Sequence, residues 1–582
     1  MNVRKLTAAL LLALICCADF IGANARGQVA DAVAGATGGL DYHQFGLLGI
    51  QDAGRRKPLD TFARETLLRI SGGATFTGAD GRVWTPPDFL LSALFGTHDW
   101  KKEPLILIPY HPLADKLGLD AQRKRFSLEE LGGATMLPAL IQQGQELSRQ
   151  QKEVPREVKE AESLATRMEA LGHLLDNSAF AIVPPAPDAK SDRWEVPTPE
   201  NAAYDPALYK MAMDQLSGMA QAYTAGNAFD FSLDAARLRK SLRELNPAVY
   251  PTDSMLQLEY TYNHLRAFTW AVAIYSLAFV VLLIANASKG KAKFLTVTGL
   301  ALAVAGVLVH ATGIAMRCFI AGRPPVTNMF ESVVWVSFGI MVFALIFLTR
   351  YRALTYLLAA LPVSLTCLLL VQQLPVAMPA SIDPLVPVLR SNYWLTIHVL
   401  TITLSYAAFA LAMGFGHIVL FRFIRNPVNA AEDVTLHFWL YRILQLGVIL
   451  LATGTILGGV WANYSWGRFW GWDPKETWAL IALLCYIFVL HGRVVGWWDQ
   501  FGLALASVVC FCAVMMTWYG VNFILGKGLH SYGFGIGGEK YVAAFVGIDL
   551  AYVAIAAIRY RKAAPLLAEV FEKTPEDEMS QV

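Results

Sequence analysis

The chain is short of charge and lacks the cysteine spacings of redox and metal sites. Asp, Glu, Lys and Arg make up 16% of its 582 residues and leave a net charge of +2. That is too little basic surface to argue for a nucleic-acid partner. No Cys-x-x-Cys occurs, which excludes a thioredoxin-like reductant and a zinc ribbon. Nor is there a Cys-x-x-Cys-His, so the chain is not itself a c-type cytochrome. Of its seven cysteines, Cys16 and Cys17 lie in the N-terminal apolar run and Cys318 at the edge of another. Cys367, Cys485, Cys510 and Cys512 fall inside apolar runs. No internal repeat is visible.

What the chain has in quantity is apolar sequence. At 55% hydrophobic residues and a mean hydropathy of +0.41 it reads as a polytopic membrane protein. Residues 1–25 carry Arg4 and Lys5, an apolar run from Leu6 to Cys17, and Ala23-Asn24-Ala25, the pattern of a signal peptide or an N-terminal anchor. Residues 26–262 are expected to form an exported, mainly helical periplasmic domain, with a charged helical stretch near 137–176 and a Pro-rich linker at 184–199. His43, His98, His111 and His173 are scattered through it and read as surface or hydrogen-bonded histidines.

Nine apolar runs long enough to span a bilayer follow, near 266–286, 294–316, 330–349, 353–372, 393–424, 437–461, 475–491, 500–520 and 541–559. The expected architecture is therefore an all-α membrane domain over 263–562, ending in a cytoplasmic tail at 563–582. If residue 266 enters from outside, every inner end is basic: Lys289, Lys291 and Lys293; Arg350 and Arg352; Arg422 and Arg425; Arg493; Arg559, Arg561 and Lys562. This is the positive-inside pattern. It predicts a bacterial inner-membrane protein with the connection 462–474 on the periplasmic side.

That connection holds the densest motif of the chain. Trp461, Trp466, Trp470, Trp472 and Trp478 fall within eighteen residues, interrupted by Gly467 and Gly471 and followed by Asp473-Pro474-Lys475-Glu476. Trp is enriched at membrane interfaces, and Asp-Pro-x-Glu is a helix start with Asp473 as cap, Pro474 first and Glu476 as capping-box partner. An interfacial belt with a cap does not account for the glycines, which allow close backbone approach to a flat ligand. Trp466, Trp470 and Trp472 then read as walls of a slot.

Histidines stand near the ends of several runs, and an imidazole is the usual axial ligand of a flat, metal-bearing molecule. His398 sits just inside the outer end of the fifth run, and His530 lies in the loop after the eighth. His491 follows Asp473 by about 27 Å of helix, near the inner end of the seventh run. His417 also reaches the inner side, whereas His310 reads as a packing histidine near the outer end of the second run.

The pattern Trp-Gly-x-x-Trp-x-Trp-Asp-Pro-Lys-Glu-x-Trp, from Trp466 to Trp478, closely resembles the WWD motif of haem-handling proteins. With the order of His398, this segment, His491 and His530, and with Arg323-Pro-Pro-Val-Thr-Asn-Met-Phe-Glu331-Ser332, residues 266–560 resemble the CcsA/ResC family. These are the membrane components of the System II cytochrome c synthase. Residues 51–65 are similar to the exported part of fused CcsB–CcsA proteins. The resemblance implies haem b as substrate and bound ligand, with iron held at the outer face by His398 and His530. It implies that the WWD segment, including Trp478 and Asp473, presents the vinyl edge to an apocytochrome c for thioether attachment to Cys-x-x-Cys-His. It also implies a haem lyase activity, a thiol reductant for the apocytochrome, and an inner haem site at His491. The second ligand of that site comes either from a separate CcsB/ResB-like subunit or from His417. A WWD protein of System I, a membrane di-haem electron-transfer subunit and a haem exporter without ligation activity remain as alternatives.

Overall fold

The computed structural model describes residues 39–150, 152, 154–288, 292–385, 391–525 and 538–573. The expected signal segment, His530 and the last nine residues of the expected tail lie outside these residues. The chain divides into two units. One runs to Leu265 and takes in Ser381–Pro384; the other comprises Arg266–Ala380 and the chain from Leu385 onward.

The first unit is mainly helical, with short two-stranded antiparallel sheets. Its hairpin pairs β1 (Gly49–Asp52) with β2 (Arg55–Pro58) and runs directly into the helix Leu59–Ser71. This is the segment 51–65 that the sequence marks out, and its charges are used internally. Lys57, 3% exposed, donates to Asp52 at 2.7 Å and to Glu65 at 2.5 Å. Arg55 bonds Glu259, which also accepts from Thr61 at 2.8 Å. Asn263 donates to both Asp60 and Thr61 at 2.9 Å. The hairpin and the helix Asp253–Leu265 are thus tied by buried polar pairs, in which each charge has an opposite partner. Gly49 N–H donates to the Tyr250 hydroxyl at 2.8 Å, and burial pushes the Tyr250 phenol up to about 12.

The Pro-rich stretch 184–199 is not a free linker. Val183 bridges Glu195, Trp194 is buried, and the Tyr204 hydroxyl donates to the Pro184 carbonyl at 2.6 Å. Proline lacks the N–H needed for a ladder, so this segment packs through side chains instead of joining a sheet. The helices Met136–Arg149 and Arg156–Leu175 occupy the charged stretch expected to be helical. His98 pairs with Glu103 at 3.2 Å and His173 with Ser178 at 2.9 Å. His111 Nδ1 lies 2.5 Å from the Ala121 carbonyl.

Among the described residues, nine helical segments are long and apolar enough to cross a membrane. In the second unit they are Ala267–Ala287, Lys293–Ala321, Met329–Tyr351, Thr355–Gln373, Leu395–Arg425, Val434–Trp466, Pro474–Val494, Gln500–Leu525 and Glu539–Lys573. Several spans run past their expected ends, the second to Ala321 and the eighth to Leu525 among them. The sixth span does not end near 461 but continues to Trp466, because no breaker intervenes until Gly467, which caps it at φ 70°. The ninth helix runs past its basic cluster to Lys573, carrying Pro565 within it. The fifth span is the hub: it packs on the third, fourth, sixth, eighth and ninth. Its glycines and alanines permit this; a Cβ on Gly414 would fall 2.7 Å from the Ala359 carbonyl oxygen, and one on Gly416 2.9 Å from that of Ala504.

Candidate functional site

The fifth span opens with a π-helical turn, Leu395–Val399, before settling into α-helix from Leu400. A π-turn widens the helix by one residue and re-aims the side chains on it; such turns concentrate at functional positions. Here the turn carries His398. Its Nδ1 donates to the Gly454 carbonyl of the sixth span at 2.8 Å. This bond places the proton on Nδ1 and leaves Nε2 as the lone-pair nitrogen, the arrangement of an iron-ligating imidazole. The sixth span can come this close because Gly454 and Gly458 are four apart on one face. A Cβ at Gly458 would meet His398 Cε1 at 2.7 Å, and one at Gly454 would meet the Ile402 backbone nitrogen at 3.1 Å. Trp461 lies one turn further along, 5.6 Å from the His398 ring and tilted by 62°, and stacks at 7° on Trp394.

His398 faces a cleft of about 140 Å³. Its lining mixes apolar residues such as Leu395, Val399, Ile402 and Trp461 with polar ones such as Thr327, Asn328, Lys475 and Asn522. Val326 to Ser332 make up part of the wall, which is where the Arg323–Ser332 motif finds its place. That wall is held by a buried ion pair: Arg317 Nε donates to Glu331 at 2.8 Å, and Arg317 Nη1 to the Ala380 carbonyl at 2.7 Å. The second Glu331 oxygen accepts from the Thr327 amide at 2.7 Å and its hydroxyl at 2.6 Å. The eighth span closes the cleft with a second π-helical stretch, Met516–Leu525; there the Trp518 indole donates to Ser332 Oγ at 3.1 Å.

Of the tryptophans expected to wall a slot, Trp470 lines the cleft, whereas Trp466, Trp472 and Trp478 are not among its lining residues. Trp466 is the last residue of the sixth span, with the Arg468 guanidinium over its ring. Trp472 is 69% exposed, stands edge-on to Trp470 and adopts φ 57°, a left-handed conformation that is uncommon outside glycine. Asp473 caps the seventh span by accepting from Lys475 N at 3.0 Å. Glu476 completes the capping box through Asp473 N and also accepts from Gly471 N at 2.8 Å. Both glycines of the segment have conformational jobs. Gly467 ends a helix, and a Cβ on Gly471 would collide with the Arg468 guanidinium, which points back toward Glu476.

The inner histidines lie elsewhere. His491 is exposed in the last turn of the seventh span, with Nδ1 on the Ile487 carbonyl at 2.9 Å. His417 is engaged through both nitrogens: Nδ1 with the Met413 carbonyl at 2.8 Å and Nε2 with Asp549 at 3.2 Å, while its ring stacks on Tyr552. His310 is fully buried, with Nδ1 3.4 Å from the Tyr275 hydroxyl and its ring against Phe268 and Phe338. Sequence reasoning passed over His437, buried near the start of the sixth span with neither ring nitrogen hydrogen-bonded among the described residues. It also passed over Gly454, Gly458, Lys475 and Asn522 as separate contributors. The four-residue glycine spacing was a readable signal for close packing; the lysine and asparagine are 47 residues apart and had none.

The family model for the cytochrome c assembly protein matches residues 261–530. The chain is 34% identical over 263 residues to cytochrome c biogenesis protein CcsA of Prochlorococcus marinus subsp. pastoris, covering 39% of this chain and 82% of that protein. The chain belongs to the cytochrome c assembly family. It is likewise 36% identical over 239 residues to CcsA of Guillardia theta, covering 37% of this chain and 78% of that protein. A longer match, 31% identical over 527 residues, is to protein NrfI of Wolinella succinogenes and covers 84% of this chain. So broad a match takes in the N-terminal unit as well as the spans. This chain spans about half of NrfI, 54% of its length. It is a multi-pass membrane protein of cytochrome c biogenesis, and its family handles haem.

Proposed function

We propose that the chain receives haem b as substrate, holds it in the outer cleft with His398 and His530 on the iron, and presents its vinyl groups to an apocytochrome c. The observation that carries this reading is His398: an imidazole on a π-turn, fixed through Nδ1 by Gly454, at a cleft that Trp470 of the WWD segment also lines. Each thiol of Cys-x-x-Cys-His adds across one vinyl group; a C–S bond forms and the thiol hydrogen ends on the neighbouring vinyl carbon. No electrons are gained or lost, so the chain needs no oxidant. The apocytochrome must arrive reduced, which is why a thiol reductant belongs among the partners. Catalysis is chiefly positioning, since two thiols and two vinyls held in one orientation react as neighbours. Asp473 acts through the cap that sets the start of the seventh span. Trp466, Trp472 and Trp478 flank the cleft's mouth in sequence and are proposed to face the haem edge or the incoming apocytochrome.

The inner haem site is proposed at His491, with its second ligand from a separate CcsB/ResB-like subunit. The bond between His417 Nε2 and Asp549 supports that choice over the internal alternative. The periplasmic placement of the N-terminal domain (26–262) and of the WWD segment rests on the basic inner ends of the spans. The N-terminal signal segment (1–25), the membrane domain (263–562) and the cytoplasmic tail (563–582) complete the proposed organisation.

The test is co-expression, with and without a CcsB/ResB-like subunit, beside an apocytochrome bearing Cys-x-x-Cys-His in a host lacking its own system. Covalent haem on that cytochrome is expected. A bis-histidine spectrum in the purified chain with no covalent product would instead favour the electron-transfer or exporter alternatives.

A further inference from the structure

A groove on the N-terminal unit has apolar walls and an acidic edge. It lies between the helices Met136–Arg149 and Arg156–Leu175 and measures about 430 Å³. Leu137, Pro138 and Ile141 come from the first helix, Ala165 and Met168 from the second. Spacings of three and four residues put them on one face of each helix. Ile141 and Met168 are only partly buried there, and Met136, at the start of the first helix, is 46% exposed. From Leu137 to Gln145 the groove follows about 12 Å of helix, roughly two turns.

The polar members of the lining are Gln142, Gln145 and Glu169, and no lysine or arginine is among them. Glu162, two turns before Glu169 on the same helix, lies across Gly144, where a Cβ would strike its carboxylate. The charges of this helix divide by position. Glu157 pairs with Lys116 at 3.4 Å and Glu160 with Arg156 at 3.8 Å. Glu162 and Glu169, at the groove, have no cationic partner among the described residues. An apolar floor beside two unmatched carboxylates is complementary to a segment that is apolar on one face and basic beside it.

Resting on the reading above that an apocytochrome c is the substrate, we infer that this groove docks the apocytochrome polypeptide through a short amphipathic segment bearing lysine or arginine. The mode is a helix laid in a groove, with two turns of contact. An apocytochrome lacks the haem around which its core packs, so it offers apolar segments that a folded protein hides. Ordering such a segment opposes binding, which keeps the contact weak enough for release. Methionine in the wall suits a site that accepts more than one sequence. Tethering the substrate in this way raises the effective concentration of its thiols at the haem.

The test uses the full chain, purified in detergent, and a fluorescently labelled apocytochrome c with Ser-x-x-Ser-His in place of Cys-x-x-Cys-His, so that no thioether can form. Binding is read by anisotropy. The double variant Glu162→Gln with Glu169→Gln is expected to weaken binding about tenfold, the worth of two part-exposed ion pairs, and to remove most of its salt dependence. Gln142→Lys, at an exposed side chain, is expected to weaken it as far by repulsion while the thermal midpoint stays unchanged. Binding by both variants equal to that of the unaltered chain overturns the inference. So does a result in which the variants separate a dimer of the chain and leave apocytochrome binding intact, since the groove would then be a self-contact. The haem-attachment reading fails separately: an unaltered chain that binds the serine apocytochrome through the groove, yet forms no covalent haem in co-expression, loses that reading and keeps this one.

Discussion

His398 Nδ1 donates to the carbonyl oxygen of Gly454 at 2.8 Å, joining the π-turn of the fifth span to the glycine face of the sixth. The bond sets tautomer and ring direction together, so the unprotonated Nε2 is the nitrogen proposed to meet iron. Removing the ring is therefore expected to remove the ligand without unfolding the spans. His398→Ala and His530→Ala should each abolish thioether attachment in the co-expression assay while membrane levels of the chain stay near normal. Normal holocytochrome yield from either variant would sink the outer-site assignment.

The ring can also be displaced while the histidine is kept. Gly458→Ala puts a methyl 2.7 Å from His398 Cε1, closer than the ring tolerates. Haem retained by the purified chain is expected to fall by about tenfold, a shift of roughly 1.4 kcal/mol. Overpacking of this kind costs roughly 1–3 kcal/mol. A haem content equal to that of the unaltered chain would mean that the sixth span moves aside freely.

Arg317 and Glu331 are 2% and 0% exposed as side chains, and they hold the wall made by Val326 to Ser332. Removing one member of a buried pair strands the other, at about 3–5 kcal/mol. Glu331→Ala should lower the thermal midpoint of the detergent-solubilised protein by several degrees and reduce haem retention with it. The double replacement Arg317→Met with Glu331→Met should recover part of the midpoint, since no charge is then stranded. A double variant no more stable than Glu331→Ala would show that the pair does more than balance charge.

His417 tests the origin of the inner ligand. If a separate subunit supplies it, His417→Gln leaves the haem spectrum that depends on His491 intact when that subunit is co-expressed. Loss of that spectrum would return the ligand to His417, and would mean that Asp549 releases it when haem arrives.

In the N-terminal unit, Tyr250→Phe removes the acceptor of the buried Gly49 amide and should cost about 1–3 kcal/mol. Denaturant unfolding of the unit's near-UV signal measures it.

Much of this was legible before any coordinates. Nine spans follow from run length, because a bilayer demands about twenty apolar residues whatever they pack against. The helix cap at Asp473 was legible for the same local reason: Asp-Pro-x-Glu satisfies the first orphan amides from within four residues. The end of the sixth span was misplaced, because Trp, Asn, Tyr and Ser neither propagate nor stop a helix strongly, and the stop came from Gly467. The Pro-rich stretch 184–199 was misjudged as a linker, because composition does not register that Trp194 is buried against Tyr250.

By itself the sequence determined the membrane architecture, the histidines and the WWD segment, since these rest on local composition and residue chemistry. Only the tertiary structure decided that Trp470 and Trp461 line the cleft while Trp472 stands exposed. The same holds for His417, already committed to Asp549, and for Lys475, which meets Asn522 across two spans. Those relations depend on how helices distant in sequence come together, which is set by where glycines allow close approach. No local pattern carries that information.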